Sequence, residues 1–174
     1  IPIVHGTQVV GIVSTIDVPS GVSSVEVHLR YDRAAGVVHL GCVGPAGFRG
    51  WSGGTRDRFA ITPDAATPGY LAGELEEGVW SVLLGLHRIP GGGLDLALDI
   101  SLPASAPPDA EPPAPPPPRR RPGRELPAVP GLTWLACDLH AHTVHSDGSL
   151  AVADLAAAAV RAGLDVLAVT DHNT

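Results

Sequence analysis

The sequence predicts an all-β domain, of the sandwich or jelly-roll type, followed by a strand–helix–strand unit of a parallel α/β fold. Three observations support this division. Apolar and polar residues alternate with period two in several runs up to residue 102, and turn residues separate those runs. A proline-rich segment follows, and a helix-period pattern appears beyond it, from residue 151. A short unbroken apolar run after that helix is typical of a strand in a parallel sheet.

Six runs in the first part of the chain have strand character. The alternation is clearest where Val25, Val27 and Leu29 alternate with polar or charged neighbours. The predicted strands cover residues 9–16, 25–30, 37–43, 58–62, 79–87 and 94–101. Turns that contain Gly or Pro separate most of them. We therefore assign residues 1–102 to a β-domain.

The segment at residues 47–54, with the sequence GFRGWSGG, is the one unusual loop predicted in this domain. We interpret it as a glycine-rich connection whose Phe48 and Trp51 cap the core. The alternatives are a contact surface for a neighbouring domain and a substrate lid. Four histidines stand alone in predicted strands or loops, and we assign no chemistry to them: His5, His28, His39 and His87.

Residues 103–130 are predicted to form a linker. Twelve of the eighteen prolines of the chain fall in this segment, and four of them are consecutive at positions 115–118. Such a run favours polyproline II, which makes a semi-rigid spacer. The four arginines at positions 119, 120, 121 and 124 are interpreted as solvated linker charges rather than a nucleic-acid site.

The last part, residues 131–174, opens with a predicted strand that carries metal-ligand residues. Side chains alternate between the two faces of a strand, so Asp138, His140 and His142 share one face. Two imidazoles at this spacing can bind one metal ion, each nitrogen at about 2.0–2.1 Å. We expect Asp138 to hold a neighbouring ring in the required tautomer. Asp147, in the following turn, can add an oxygen ligand.

A helix and a second strand complete this unit. The helix is predicted over residues 151–162, with Ser149 as its cap and Gly163 as its end. The apolar run at residues 166–169 is predicted to be a strand covered on both faces, and Asp171 and His172 follow it. In parallel α/β sheets, ligands bind at the carboxyl ends of strands. His140, His142, Asp147 and His172 all fall at that end.

These residues resemble the first two motifs of the PHP (polymerase and histidinol phosphatase) family. The matching residues are Asp-x-His-x-His-Thr-x-x-Ser-Asp-Gly from position 138 and Thr-Asp-His-Asn from position 170. The resemblance implies a distorted barrel of seven β/α units, with two or three divalent metal ions that drive hydrolysis, most often of phosphate esters. It implies that His140, His142, Asp147 and His172 are metal ligands. Asp138 and Asp171 would be supporting carboxylates beside them.

The resemblance covers only the last part of the chain. The family's later ligands, which include further His and Glu residues and a final Asp-x-His, have no counterpart up to residue 174. We therefore expect a C-terminally truncated fragment that is inactive by itself. Residues 47–54, 66–71 and 78–80 also resemble the β-domain of a metallohydrolase subgroup that includes carbamate-insecticide hydrolases.

The sequence thus predicts a divalent-metal hydrolase, either a phosphoesterase or a related ester or carbamate hydrolase, with a small-molecule ester as substrate. Mixed imidazole and carboxylate ligands suit Zn, Mn or Fe. The alternative is a non-catalytic β-sandwich binding module with a vestigial or polymerase-type PHP segment. His145 is interpreted as an exposed loop residue, with a proton shuttle as the alternative.

Composition restricts the partners and the location. The net charge of −7 argues against a nucleic-acid surface. No apolar run reaches the roughly 18 residues of a membrane span. We expect a cytoplasmic protein, and the sequence leaves its oligomeric state open.

Overall fold

The computed structural model describes residues 11–123 and 125–172 of the chain. This part of the chain contains nine strands and one helix. Their bounds in chain order are β1 Gly11–Val18, β2 Val25–Tyr31, β3 Val37–Gly44, β4 Gly47–Trp51, β5 Arg58–Ile61, β6 Gly78–Arg88, β7 Leu96–Ser101, β8 Cys137–Ala141, α1 Val152–Ala162 and β9 Val166–Val169.

Several positions named above lie outside the described residues. These are His5, the start of the first predicted strand at positions 9–10, Arg124 in the linker and Asn173 after the last strand.

The first part of the chain is a β-rich domain, as predicted. Its strands form two antiparallel sheets, one in the order β1-β6-β3-β4 and the other in the order β5-β2-β7. Apolar side chains of both sheets form one hydrophobic core, in which Trp80 and Phe59 are the largest fully buried residues. Burial of this apolar surface is the main force that holds the two sheets together.

Strand β3 shows how the alternation assigns residues to the two faces of its sheet. Val38, Leu40 and Cys42 are fully buried and point into the core. The residues between them, His39 and Gly41, therefore lie on the outer face. This outer face becomes important for the candidate site.

The predicted loop at residues 47–54 is partly wrong, because its first half is strand β4. β4 pairs with β3, and Gly47 and Gly50 take positive φ values of 132° and 142°, which glycine adopts without the Cβ clash of other residues. The prediction that Phe48 and Trp51 cap the core is also wrong. Phe48 is 45% exposed, and the Trp51 ring packs over Gly41 on the outer face, where a Cβ at Gly41 would lie 2.3 Å from it.

The start of the linker is attached to the β-domain through Glu26. The carboxylate of Glu26 accepts hydrogen bonds from the backbone N–H and the hydroxyl of Ser105, both at 2.6 Å, and from Arg58 at 2.6 Å. Arg58 also donates to the carbonyl oxygens of Ala106 and Pro107. The proline-rich segment is therefore anchored to the domain it leaves.

We expect the Glu26→Gln substitution to lower the free energy of unfolding by about 1–3 kcal/mol at pH 7. Burial raises the pKa of Glu26, but the hydrogen bonds from Ser105 and Arg58 outweigh it and lower the pKa from 4.5 to about 2. A lowered pKa stabilises the fold above pH 4.5, and this contribution is lost as pH falls towards 2. Urea unfolding of both proteins at several pH values tests this. The matched control is Asp99→Asn, in an exposed pair with Arg30, which should have a smaller effect. A stability difference that persists unchanged at pH 2 would contradict the explanation.

The second part is a strand–helix–strand unit, as predicted. β8 and β9 pair in parallel, and α1 lies between them in sequence. Gly163 ends the helix in the left-handed region, with φ at 80°, as predicted. The prediction for Ser149 is wrong, because the residue at the N-cap is Ala151, without a side-chain hydrogen bond.

β9 is less covered than its apolar sequence predicts. Val166 and Val169 are exposed, and the β9 strand has β8 as its only hydrogen-bonded neighbour among the described residues. Val166 and Val169 are three positions apart and so lie on opposite faces of the strand, which means that each face of β9 carries an exposed side chain. Arg120 of the linker pairs with Asp165 just before β9 at 2.5 Å, so this arginine is not a purely solvated charge.

Within the described residues, no helix is both long enough and apolar enough to cross a membrane.

Candidate functional site

The two histidines of the first motif converge at the end of β8. Their Nε2 atoms lie 2.9 Å apart, and their rings stack with centroids 5.0 Å apart. Two nitrogens bound to one tetrahedral ion would lie about 3.3 Å apart, from bond lengths near 2.0–2.1 Å. The separation of the His140 and His142 nitrogens is shorter than this, so they would have to move slightly apart to share an ion. Their position on one face of the strand end agrees with the alternation along the strand.

Asp147 and His172 lie beside this pair. Asp147 Oδ1 is 2.6 Å from His142 Nδ1, and its Oδ2 is 3.7 Å from His172 Nε2. One ligand atom from each of these three residues falls within 4.8 Å of the others. His140 reaches the group through His142. The structure thus brings together the four predicted ligands at the carboxyl ends of β8 and β9.

The turn that carries Asp147 is closed by its own backbone. The Ser146 and Gly148 N–H groups both donate to the Thr143 carbonyl, at 3.1 and 2.9 Å. Gly148 packs so closely on His142 that a Cβ there would lie 2.2 Å from the His142 carbonyl oxygen. Glycine at this position lets the chain fold back over the strand end, which brings Asp147 to the histidines.

The Asp171 carboxylate holds this turn in place through hydrogen bonds. Its carboxylate accepts hydrogen bonds from the Thr143 N–H at 2.6 Å and from the hydroxyls of Thr143 and Ser146 at 2.5 Å. Thr143 and Ser146 are fully buried. Burial raises the pKa of Asp171, but these hydrogen bonds outweigh it and keep the pKa below its usual value. This geometry is what a supporting carboxylate needs.

Asp138 makes a different contact from the one expected. Its Oδ1 accepts the backbone N–H of His140 at 3.1 Å, so the carboxylate steadies the main chain beside a ligand. The contact that orients a ring is made by Asp147 on His142. Burial raises the pKa of Asp147, but the hydrogen bond with His142 and the nearby His172 lower it overall.

His145 lies in the same turn but contacts the linker. Its Nε2 contacts a carboxylate oxygen of Glu111. His145 lies in a turn, as interpreted, but its ring is partly buried and partnered by the proline-rich segment rather than fully exposed. The alternative role as a proton shuttle stays untested.

A cleft of about 550 Å³ borders the ligands, and the β-domain forms most of its lining. Its volume is in the range of small-molecule sites. Three lining residues come from the second part: Ser146, Asp147 and His172. The others come from the β-domain: Val37, His39, Trp51, Gly53, Gly54, Thr55 and His87.

The β-domain side of the cleft carries three rings, which we call the aromatic wall: His39, His87 and Trp51. The His39 and His87 rings stack with centroids 5.0 Å apart, and Trp51 meets His39 edge-on at 5.7 Å. Burial and the proximity of His87 lower the pKa of His39. The sequence predicts no chemistry for His39 and His87, because the pairing of β3 with β6 joins segments that are far apart in the chain. Their outward positions in two alternating strands were the available signal.

The two parts of the chain are joined beside the cleft by specific contacts. The Thr55 hydroxyl donates to the Ser146 carbonyl at 3.1 Å, and Arg56 donates to the Val144 carbonyl at 2.5 Å. Gly69 packs on the same turn, with φ at 91°, and a Cβ there would lie 2.7 Å from the His145 carbonyl oxygen. The alternative interpretation of the segment at residues 47–54, a contact surface for a neighbouring domain, agrees with these contacts next to it.

The sequence matches no family model, no curated protein and no solved structure. The resemblance to the PHP family therefore depends on the motif residues themselves.

Proposed function

We propose that His140, His142, Asp147 and His172 bind a divalent metal ion in a hydrolase that cleaves ester bonds. One observation carries the proposal. Two parallel strands end beside each other, and one ligand atom from each of His142, Asp147 and His172 falls within 4.8 Å of the others. His140 Nε2 lies 2.9 Å from His142 Nε2. Parallel strand ends are the usual position of ligands in such sheets.

The donor set supports Zn, Mn or Fe. Imidazole nitrogens suit these ions, and a carboxylate adds a harder oxygen ligand. In the complete family pattern, two or three such ions would be present. When bound, the metal would lower the pKa of a water molecule towards neutrality and would neutralise charge on a phosphoryl or carbonyl oxygen.

The chain's own residues orient and fix this ligand set. His142 faces His140 with Nε2 at 2.9 Å and Asp147 with Nδ1 at 2.6 Å, so His140 and Asp147 lie on opposite sides of its ring. Asp147 would therefore bind an ion together with His172, whose Nε2 lies 3.7 Å from its Oδ2. Asp171 fixes the turn between the two motifs through Thr143 and Ser146. Both carboxyl groups have lowered pKa values, so they carry the negative charge that a divalent cation requires.

We further propose that β8, α1 and β9 are the first unit of a PHP-type β/α barrel. The parallel pairing of β8 and β9 supports this, because barrels of this kind are built from parallel strands. The exposure of Leu139, Val166 and Val169 supports it as well, since further barrel elements would cover these side chains. Additional metal ligands would come from those elements.

The test has two arms. In the first, the 174-residue chain is titrated with Zn²⁺ or Mn²⁺ after chelation, and its metal content is measured by elemental analysis. In the second, the protein purified at its natural length is assayed against phosphate monoesters, phosphate diesters, carboxyl esters and carbamates. We expect metal binding in the first arm and metal-dependent hydrolysis of one ester class in the second.

The outcomes separate the two functions. Metal binding without hydrolysis of any ester would favour the non-catalytic module. A chain that binds neither metal would contradict the proposal.

A further inference from the structure

We propose that the aromatic wall of the β-domain binds the part of a substrate that lies away from the metal, and that it selects a flat uncharged group. This inference rests on the proposed metal site and deepens it. The β-domain would then determine specificity rather than act as a passive neighbour.

The wall faces the candidate ligands across one cleft. His39, His87 and Trp51 line the same cleft as Asp147 and His172. A small molecule held at the ligands would fill part of its volume of about 550 Å³ and would extend towards these rings.

Specific contacts join the β-domain to the turn that carries Asp147, beside the cleft. The Thr55 hydroxyl oxygen lies between the Ser52 carbonyl at 2.9 Å and the Ser146 carbonyl at 3.1 Å, and its single proton is shared between these two acceptors. Gly53, with φ at 57°, lies next to the ligand turn, where an added Cβ would be in van der Waals contact with the Asp147 Cβ at 3.5 Å. These contacts set the distance between the wall and the ligands.

The aromatic rings of the wall and the lack of cationic residues in the described lining favour a flat, uncharged group. Flat groups gain from stacking or edge contacts with rings, whose centroids here lie 5.0 and 5.7 Å apart. The described lining residues include neither Arg nor Lys, and Asp147 is acidic. The Arg33 guanidinium donates to the carbonyls of Gly54 and Thr55 in the lining, but it already pairs with Asp57 at 3.3 Å. An anionic group at the far end of the substrate would therefore lose water without gaining a free cationic partner, which is costly.

Three hydroxamates test the proposal, because each binds metal through the same group and they differ only at the far end. Acetohydroxamate has no ring, benzohydroxamate has a neutral ring, and 4-carboxybenzohydroxamate has a ring with a negative charge. Their binding to the Zn²⁺-loaded 174-residue chain is measured by calorimetry. We expect benzohydroxamate to bind about tenfold more tightly than acetohydroxamate, and the added carboxylate to cancel most of that gain.

Substitutions in the aromatic wall then test whether its residues cause the tighter binding of benzohydroxamate. Trp51→Leu and His39→Ala should each reduce the preference for the ring and leave acetohydroxamate binding and zinc content unchanged. Phe48→Leu is the matched control, because Phe48 lies on the same strand as Trp51 but outside the cleft. Thermal melting identifies any variant that fails to fold, and either of the two variants alone can test the wall.

The outcomes distinguish this inference from the proposed function. If zinc and acetohydroxamate bind normally but benzohydroxamate binds no more tightly, the proposed role of the aromatic wall is wrong. The proposed metal site is then unaffected. A ring preference that survives in both folded variants also overturns the proposed role of the aromatic wall. If the chain retains no zinc, the proposed function fails and this inference fails with it.

Discussion

Replacing His142 with alanine should weaken Zn²⁺ binding on the order of a hundredfold. His142 is the centre of the candidate site, since one ring nitrogen faces His140 at 2.9 Å and the other faces Asp147 at 2.6 Å. Removing this ring takes away one ligand and leaves the Asp147 carboxylate without the group it orients. The remaining residues would then be too few and too far apart to hold the ion tightly.

Competition with a fluorescent zinc chelator measures this effect on the folded chain. The control is His28→Ala, which removes an imidazole from β2 in the other sheet of the β-domain. His140→Ala should lower the affinity in the same direction. Equal zinc affinity of the His142 variant and the unmodified chain would show that these residues are not the metal site.

The second large effect is expected for Trp80→Ala, which should lower the free energy of unfolding by about 3–5 kcal/mol. Trp80 is the largest fully buried side chain. Its Nε1 donates to the Glu76 carbonyl at 2.9 Å, and the Arg49 guanidinium lies 4.8 Å from its ring centroid. The substitution leaves a cavity between the sheets, and Arg49 also loses the ring that covers it.

Thermal and urea unfolding of the β-domain check this prediction. A loss of this size should lower the Tm by more than about 10 °C for a domain of this size. Val79→Ala is the matched control, because Val79 precedes Trp80 on the same strand and is 57% exposed. A Trp80 variant as stable as the Val79 variant would mean that the two sheets do not pack through this ring.

The elements predicted best from the sequence are those defined by local periodicity. The alternation at Val25, Val27 and Leu29 predicts a strand with a buried face, and these residues are buried. The helix pattern before Gly163 predicts α1 to within one residue of its first position. The convergence of His140 and His142 follows from the period-two geometry of a single strand, so it too could be predicted.

The features that could not be predicted depend on contacts between distant segments. β4 was missed because its glycines weaken any strand pattern, and only pairing with β3 reveals it. His39 and His87 are separated by 48 positions in the sequence, and their stacking depends on the register between β3 and β6. The exposed edge of β9 likewise depends on which elements surround it, which an apolar run does not specify.

The linker has a consequence for how the cleft is maintained. It is attached near Glu26 at its start and to Asp165 by Arg120 towards its end. A tether fixed at both ends makes the docking of the aromatic wall an intramolecular event, with an effective concentration that depends on the length and stiffness of the linker. A few contacts such as Thr55 with Ser146 can then keep the cleft assembled, although the same contacts would not join two separate proteins at ordinary concentrations. The proline-rich segment thus supplies local concentration where the interface supplies little area.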